Sequence, residues 1–486
     1  MSSKKKVGII GSGVAGLATA IRLSAKGYAV TVFEKEKELG GKMGILQKSG
    51  YRFDTGPSLF TQPYLIDEII KLSQQETSFN YQKMDITCKY FWEDGTCFNA
   101  YAKKTKLSAE LKSVFPEDEI IVLERLLKAE QMYNTVGDIF IEKPLHKWST
   151  WFSLKVIKAL FKLPQFKINK SMHLVNAKDF KSPKIQQLFD RFATYNGSNP
   201  YQAPAILNMI PHLELNQGTF YPNGGLRSIP ETLISIGKKM GVEYKVQEAV
   251  GQILINNKKV KGLSTSIKDY DFDIVVSNAD VLPTYKYLMP GEKQPKKILS
   301  QERSSSGIIF YWGIKNTFPD LDLHNIFFSQ TYKKEFEAIF KEGKIIDDPT
   351  IYVNISSKVD FSDAPEGCEN WFVLINAPAN NGQDWDTIIK QVRKNTISKL
   401  ERILGRAIEP HIEFEEILDP RSIENKTSSF QGALYGTSSN NQMAAFLRHR
   451  NEHSKIKGLY FCGGSVHPGG GIPLCLNSAQ IVSNML

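Results

Sequence analysis

Three glycines near the start of the chain, Gly11, Gly13 and Gly16, lie between a short apolar stretch and a helix-like pattern. In that setting Gly11 allows a tight turn, Gly13 lets the backbone approach a pyrophosphate, and Gly16 lets a helix pack closely on a strand. The first N–H groups of such a helix have no partner within it and attract phosphate oxygens. The spacing predicts a dinucleotide-phosphate site; the alternative is a glycine-rich turn in an ordinary α/β sheet.

Glu34 follows these glycines at the distance where an acidic residue accepts hydrogen bonds from a ribose hydroxyl. The elements that must position these residues are a strand at Val7 to Ile10, a helix from about Val14 to Lys26 and a strand at Tyr28 to Phe33. This order predicts an α/β fold that contains a Rossmann-type nucleotide-binding unit.

Two later turns indicate which dinucleotide binds. A glycine pair ending at Gly41 precedes Lys42, and a turn at Phe53 to Ser58 follows a short strand pair. In flavin enzymes of this fold, such a pair brings backbone and a cation to the pyrophosphate, and the later turn places amides beside the isoalloxazine ring. A nicotinamide enzyme usually needs only the first motif. Either turn alone is equally typical of a surface loop, but the combination predicts FAD.

The end of the chain repeats the order strand, glycine-rich turn and helix. A strand at Leu459 to Cys462 precedes glycines between 463 and 471, and a helix is predicted from Leu474 to Met485. No second strand–helix–strand unit or acidic partner follows. We therefore expect this turn to return to the first nucleotide and close its site.

Composition bounds the class of protein. With 486 residues and 41% hydrophobic content, the chain is expected to form two or three globular domains. Its five cysteines form no CxxC pair, which indicates a reducing cytosol and no metal site. The first strand follows Met1 to Lys6 directly, so neither a signal peptide nor a membrane-spanning segment is expected.

The patterns predict a discontinuous FAD-binding domain at 1–72, 215–300 and 445–486, a mostly helical region at 73–214, and a sheet domain at 301–444 that binds substrate. The elements behind this division are helices at 117–133 and 182–195, a hairpin over 250–265, a buried strand at 273–277, and strands at 308–313, 350–355 and 371–376.

Besides the glycine motifs and turns described above, four further segments are informative, namely Arg191 to Pro200, Tyr221 to Leu226, Val276 to Asp280 and Gly463 to Pro473. Together with them, the chain resembles the bacterial carotenoid (phytoene) desaturase family over nearly its whole length, and His467 to Pro473 is the most specific segment. Residues 55–60 and 348–378 are more similar to the branch that desaturates hydroxylated carotenoids at the C3–C4 bond.

The resemblance implies a Rossmann-type FAD-binding domain like those of glutathione reductase and amine oxidases, a second β-sheet domain for substrate, and a helical membrane-associating subdomain. It implies an FAD-dependent oxidoreductase that removes hydride and a proton from a long polyene, by 3,4-desaturation of a 1-hydroxycarotenoid. The alternatives are a lycopene-forming phytoene desaturase, a carotenoid cis–trans isomerase, a flavin amine or porphyrinogen oxidase, and a non-catalytic carotenoid binder.

The resemblance also implies cofactor contacts. The pyrophosphate contacts are Gly11, Gly13, Ala15 and Gly16; the ribose contact is Glu34; the phosphate and ring contacts are Gly41, Lys42, Gly56, Pro57 and Ser58; the adenine contact is the backbone of Val250; and Ala279, Asp280, Gly464, Ile472 and Pro473 lie along the rest of the cofactor. Gly463 to Ser465 and Leu474-Cys475 depart from the family's usual alanines and glycines, but small residues remain where the backbone must approach.

Desaturation needs an acceptor for the proton, which can be a carboxylate, a histidine or water. His467 lies beside the predicted flavin loop and is the first histidine to test. A structural role in that turn explains the residue better, so no catalytic base is assigned.

The net charge of +10 is concentrated between Lys143 and Lys184, where lysines alternate with aromatic residues. On a helix, Lys155, Lys158 and Lys162 would share one sector, and apolar residues would cover much of the rest. This pattern predicts peripheral contact with lipid at the inner face of the cell membrane. The alternative is a helix packed on the core with a solvated basic face. No nucleic-acid module is recognised, and the oligomeric state is left open.

Overall fold

The computed structural model describes residues 4–152, 156, 166–167, 169–441 and 447–486. The strands, in chain order, are β1 (Lys6–Ile10), β2 (Ala29–Phe33), β3 (Ile45–Lys48), β4 (Tyr51–Asp54), β5 (Tyr81–Lys83), β6 (Ile86–Phe91), β7 (Cys97–Tyr101), β8 (Phe220–Pro222), β9 (Glu243–Lys245), β10 (Val250–Asn256), β11 (Lys259–Thr265), β12 (Asp269–Asp271), β13 (Ile274–Ser277), β14 (Ser306–Ile314), β15 (His324–Phe327), β16 (Ile351–Asn354), β17 (Glu369–Ala377), β18 (Ile412–Leu418) and β19 (Leu459–Phe461).

The longer helices are α1 (Val14–Ala25), α2 (Tyr64–Ser73), α3 (Lys104–Val114), α4 (Glu119–Met132), α5 (Met172–Asp179), α6 (Pro183–Asp190), α7 (Ser228–Lys239), α8 (Trp385–Leu404), α9 (Pro420–Thr427) and α10 (Ile472–Met485). Shorter helical segments are Tyr133–Gly137, Asp138–Phe140, Trp148–Trp151, Arg191–Asn196, Ala205–Met209, His212–Asn216, Val281–Pro283, Thr284–Leu288, Lys296–Leu299, Tyr332–Glu337, Ala338–Glu342, Ser356–Lys358, Phe361–Asp363, Glu409–His411 and Phe430–Gly432.

A parallel sheet in the order β19-β13-β1-β2-β9 carries both ends of the chain. Its central strand β1 is apolar and buried, which is typical of a parallel strand covered on both faces. Helix α1 packs against α7 and α10. The predicted order of strand, turn and helix at both ends of the chain is confirmed, as are the hairpin of β10 and β11 and the buried strand β13.

A second, mostly antiparallel sheet has the order β18-β14-β17-β16-β15-β6-β7. Phe310 and Trp312 of β14 belong to an apolar cluster with residues of α8, so α8 covers one face of this sheet. Tyr311 of the same strand points to the opposite face and lies in a separate cluster with Phe53 and Phe372. The second sheet therefore presents an aromatic face to the turn that follows β4.

Residues 86–101, which the sequence pattern places in the helical region, form β6 and β7 of the second sheet. Cys88 and Tyr90 of β6 belong to one apolar cluster and Phe91 belongs to another, so both faces of this short strand are covered. It therefore lacks the alternation of apolar and polar residues that marks a half-buried strand in a sequence. The predicted helices at 117–133 and 182–195 appear as α4 and α6, and the second continues as a 3₁₀ helix beyond Asp190.

The predicted basic helix with Lys155, Lys158 and Lys162 lies outside the described residues. Val156, on its apolar side, is described and is buried. Within the described ranges, no helix combines the length and the apolar character that crossing a bilayer requires.

Candidate functional site

The N-terminus of α1 forms an open anion-binding position. Gly11 has φ +89°, a conformation that favours glycine. Gly13 is the N-cap with extended backbone, and no side chain in the described part of the chain accepts a hydrogen bond from the first turn. A Cβ on Gly16 would collide with the carbonyl oxygen of Gly11. The first-turn N–H groups therefore remain available to phosphate oxygens.

The second glycine turn lies directly against this helix end. The backbones of Gly13 and Gly40 pair in an isolated bridge, and a Cβ on Gly41 would lie 3.0 Å from the Cα of Gly13. Arg227 fixes the turn by donating from Nη1 to the carbonyls of Leu39 and Met43, at 2.8 and 2.9 Å. The sequence patterns did not identify Arg227, although it directly follows the segment Tyr221 to Leu226.

Glu34 is buried at the carboxyl end of β2, beside the same helix end. Its Oε2 accepts from the backbone N–H and the hydroxyl of Ser12, at 3.0 and 2.6 Å. The carbonyl of Glu34 accepts from the N–H of Glu248 at 3.0 Å, which brings the start of β10 at Val250 to this end of the site. The arrangement suits a ribose next to the carboxylate and an adenine next to β10.

Lys42 places a cation in an enclosed space. Its Nζ donates to the carbonyl of Leu434 at 2.9 Å and lies 3.4 Å from that of Ala433. Burial lowers the pKa of Lys42, and the negative charge of Asp280 partly opposes this change. A second negative charge brought close to this ammonium group would therefore be stabilised.

Asn278 joins the glycine turns of the two chain ends. Its Nδ2 donates to the carbonyl of Gly11 at 3.3 Å, and a Cβ on Gly13 would lie 2.9 Å from that nitrogen. A Cβ on Gly463 would lie 2.7 Å from its Oδ1. Asn278 lies within the segment Val276 to Asp280, but the sequence predicted cofactor contacts only for its neighbours Ala279 and Asp280.

The C-terminal turn packs on the segment that contacts Lys42. A Cβ on Gly470 would lie 2.8 Å from the Cα of Tyr435, so the two backbones are in close contact. The hydroxyl of Ser465, next to Gly464, accepts from the N–H of Val281 at 3.0 Å. Helix α10 begins at Ile472 with Pro473 in its first turn. The turns from both ends of the chain thus surround one site, as the sequence predicts.

The turn at Gly56 to Ser58 joins this site to the second sheet. A Cβ on Gly56 would collide with the carbonyl of Lys42. Asp54, just before the turn, accepts from the N–H groups of Leu226 and Arg227 at 2.9 and 3.1 Å. Pro57 and Ser58 keep partial exposure.

Several side chains in this region have accessible surface although they lie deep in the molecule. Burial raises the pKa of Cys475 to about 11, and it also raises the pKa of Tyr435 and Tyr352, yet all three side chains are partly exposed. Cys475 lies close enough to Lys42 for their charges to interact, and Tyr352 packs against the aromatic face of the second sheet.

A buried ion pair lies beneath the helical region. Arg191 donates from Nη2 to both oxygens of Glu214, at 2.9 and 2.8 Å, and to the hydroxyl of Tyr90 in β6 at 2.7 Å. The hydroxyl of Tyr195 donates to the same carboxylate. The segment that begins at Arg191 therefore anchors the helices to the second sheet, and Glu214 is a partner that the sequence patterns did not reveal.

His467, the candidate catalytic histidine, is buried in the C-terminal turn. Its Nε2 lies 2.9 Å from the carbonyl of Lys143, and a carbonyl only accepts, so Nε2 carries the proton and donates it. Burial lowers the pKa of His467 to about 4. This geometry favours a structural role for the imidazole.

These residues fit a flavin dinucleotide. Free N–H groups and Lys42 are available to the pyrophosphate, and Glu34 is available to a ribose. Gly16, Gly41 and Gly56 lie where a Cβ would come too close to neighbouring backbone. Residues 14–485 match the family described as flavin containing amine oxidoreductase. This chain belongs to that family. Membership confirms the predicted cofactor, FAD, the class of FAD-dependent oxidoreductase and the Rossmann-type FAD-binding fold.

Two curated relatives are informative. A 1-hydroxycarotenoid 3,4-desaturase from Flavobacterium sp. (strain P99-3) is 50% identical over 99% of this chain and 99% of its own. A phytoene desaturase from Fusarium fujikuroi is 32% identical over 99% of this chain and 89% of its own. The resemblance to carotenoid desaturases is therefore confirmed.

Among solved structures, cyclohexylamine oxidase from Brevibacterium oxydans IH-35A matches with a TM-score of 0.61 and 14% identity, over 99% of this chain and 98% of that one. At this identity the likeness concerns the fold alone.

Proposed function

We propose that this protein is an FAD-dependent carotenoid desaturase that introduces the 3,4 double bond into a 1-hydroxycarotenoid. The observation that carries the proposal is the 50% identity, across 99% of both chains, to the Flavobacterium 1-hydroxycarotenoid 3,4-desaturase. The cofactor turns that surround one site support the oxidation chemistry.

The bound flavin supplies an acceptor for the hydride that leaves the allylic carbon. The chain's own residues bind the dinucleotide through the N-terminus of α1, Gly41, Lys42 and Glu34. The turn that ends at Ser58 presents its backbone to the side of the site facing the second sheet. No side chain is assigned as the proton acceptor, and the hydrogen bond from His467 to a backbone carbonyl argues against that residue.

The aromatic face of the second sheet suits a rigid, extended polyene. The ring of Phe372 contacts those of Tyr311 and Tyr352, with centroids 5.6 and 6.3 Å apart. Aromatic side chains offer large apolar contact area and lose little conformational entropy when they bind. Such an aromatic face orients the polyene and keeps water from the reacting carbons.

We also propose that the protein contacts lipid at the inner face of the cell membrane, where carotenoids are dissolved. No acidic residue lies between Lys143 and Lys170, and the side chain of Phe152 in this stretch is 76% exposed. A basic segment with an exposed aromatic residue favours an anionic lipid surface.

The test is expression in a bacterial host that accumulates 1-hydroxylated acyclic carotenoids, followed by mass and absorption analysis of the pigments. We expect loss of two hydrogens and a red-shifted spectrum. Desaturation of phytoene alone would favour the lycopene-forming alternative, which the Fusarium relative supports. Unchanged mass with a shifted spectrum would identify an isomerase, and unchanged pigments with peroxide produced from an amine would identify an amine oxidase.

A further inference from the structure

A chain of hydrogen bonds runs from the turn beside the cofactor site into the second sheet. The hydroxyls of Ser58 and Tyr352 are 2.9 Å apart, and the Tyr352 hydroxyl is 2.8 Å from Nδ1 of His324. Nδ2 of Asn354 is 3.2 Å from the same nitrogen. These residues come from three places in the sequence, and β15 and β16 hold His324, Tyr352 and Asn354 side by side.

The direction of this chain is fixed at its inner end. Nδ2 of Asn354 donates to the carbonyl of Leu323 at 3.0 Å, so this atom is the amide NH₂ and its second hydrogen points to His324. A proton on Nδ1 of His324 would face this hydrogen, so Nδ1 accepts, and its single lone pair is shared between the longer contact from Asn354 and the 2.8 Å contact with Tyr352. Burial and the positive charge of Arg191 lower the pKa of His324 to about 3, so the ring is neutral and its proton is on Nε2.

The remaining hydrogens follow from this constraint. Since Nδ1 of His324 has no proton, the 2.8 Å contact needs the hydrogen of Tyr352, and the Tyr352 oxygen then accepts from Ser58. The reverse direction would leave two acceptors facing each other across that contact. The hydrogen of Ser58 is thereby committed to Tyr352, and no donor among the described residues occupies the lone pairs of the Ser58 oxygen.

We propose that the Ser58 hydroxyl oxygen recognises the substrate's alcohol by accepting a hydrogen bond from it, with Tyr352 and His324 as positioning residues. This inference rests on the proposed function and names the feature of the substrate that the site selects. Because the oxygen of Ser58 can only accept, it binds an alcohol and discriminates against an ether or a hydrocarbon at the same position.

The position of Ser58 agrees with the chemistry. In a 1-hydroxylated end group, a single carbon separates the carbon that bears the oxygen from carbon 3, so the hydroxyl must lie close to the reacting bond. Ser58 closes the turn next to the cofactor site, and both Ser58 and Tyr352 are partly exposed. The ring of Tyr352 packs on Phe372 with centroids 6.3 Å apart, which gives the alcohol an otherwise apolar wall.

The chain of hydrogen bonds is not suited to carry a proton away. Nε2 of His324 is buried with no hydrogen-bond partner among the described residues, so a proton arriving at Nδ1 has no exit through the ring. Arg191 further opposes the imidazolium form. Recognition, rather than general base catalysis, is therefore the role that these residues can perform.

The experiment compares the FAD-loaded wild type with Ser58→Ala and Tyr352→Phe on a 1-hydroxy carotenoid and its 1-methoxy analogue. The measured quantity is the ratio of the two kcat/KM values. We expect the wild type to favour the alcohol roughly ten- to hundredfold, because the ether cannot donate a hydrogen bond. In Ser58→Ala the ratio should fall close to one.

Tyr352→Phe independently tests the donor–acceptor direction of these hydrogen bonds. Without the tyrosine oxygen, the Ser58 hydrogen becomes free to donate to an ether, so the ratio should narrow through a gain on the methoxy analogue. If Ser58→Ala loses its flavin, the ratio measured for Tyr352→Phe still tests the proposal.

The matched control is Tyr285→Phe, which removes a hydroxyl from another buried tyrosine–histidine pair, where Tyr285 and His449 are 2.9 Å apart. It should keep the wild-type ratio. The inference would be overturned if the wild type used the alcohol and the ether equally well, or if Ser58→Ala and Tyr352→Phe both kept the wild-type preference for the alcohol. Either result would leave the desaturase activity itself intact. Failure of the wild type to desaturate any 1-hydroxy carotenoid would instead overturn the proposed function.

Discussion

Replacing Gly13 with leucine tests the cofactor site at its narrowest point. Gly13 has φ −62° and ψ 167°, a conformation that any L-residue adopts, so the substitution adds no backbone strain. A Cβ here meets only the flexible Asn278 amide, at 2.9 Å. The protein should therefore fold, but the new side chain would occupy the position of the pyrophosphate.

The size of the effect follows from the groups that would be blocked. The first-turn N–H groups of α1 have no capping side chain among the described residues, and a hydrogen bond to a charged group contributes about 1.5 to 3 kcal/mol. Losing two of them weakens FAD binding by about 3 to 6 kcal/mol, or roughly two to four orders of magnitude in Kd.

The assay is flavin absorbance per mole of purified protein, followed by FAD titration of the apoprotein and thermal unfolding by circular dichroism. Gly27→Ala is the control, because Gly27 has φ +87° and a Cβ there would meet nothing within 4 Å. That variant should lose about 1 kcal/mol of stability and stay yellow. Stoichiometric yellow flavin in folded Gly13→Leu would refute the assignment of the pyrophosphate position.

Three further outcomes are expected. Changing Lys155, Lys158 and Lys162 to glutamine should weaken sedimentation with anionic vesicles by up to about 1 kcal/mol per lysine; an unchanged bound fraction would mean that this segment faces elsewhere. His467→Asn should lower the unfolding free energy by about 1 to 3 kcal/mol while the folded fraction keeps its kcat, whereas a collapse of kcat at normal stability would indicate a catalytic role. Burial raises the pKa of Glu335 from an ordinary value of 4.5 to about 7. The stability that its protonated form contributes should therefore be present below about pH 4.5 and fall by up to about 3 kcal/mol as the pH rises to about 7. Glu335→Gln should flatten that part of the pH profile of chemical denaturation.

The N-terminal cofactor turn could be predicted because its signals are local. Gly11, Gly13 and Gly16 lie within six residues, and strand, turn and helix periods change around them. The C-terminal turn was predictable for the same reason. The residues that complete the site could not be predicted from local signals. Asn278, for example, contacts Gly11 from 267 positions away in the sequence.

The second sheet shows the same limit. Strands β14, β16 and β17 were found from their aromatic and β-branched runs, which carry a strong signal of their own. Strand β6 pairs with β15, a partner far along the chain. Its six residues precede a long helical pattern, so the sequence predicts a helical region here. Likewise, Ser58 meets Tyr352 across 294 positions, so only the folded chain reveals their hydrogen bond.

The bridge that Asn278 makes between the two glycine turns determines where chimeras with relatives can be cut. A single crossover between Gly11 and Gly463 would combine halves of the flavin cradle that were never selected together. Exchanging only residues 306–418, from β14 to β18, would leave each turn with its native neighbours. Such a cassette would transplant Tyr352 and His324 with their aromatic surroundings, so polyene preference could be re-engineered in a protein that still holds its flavin.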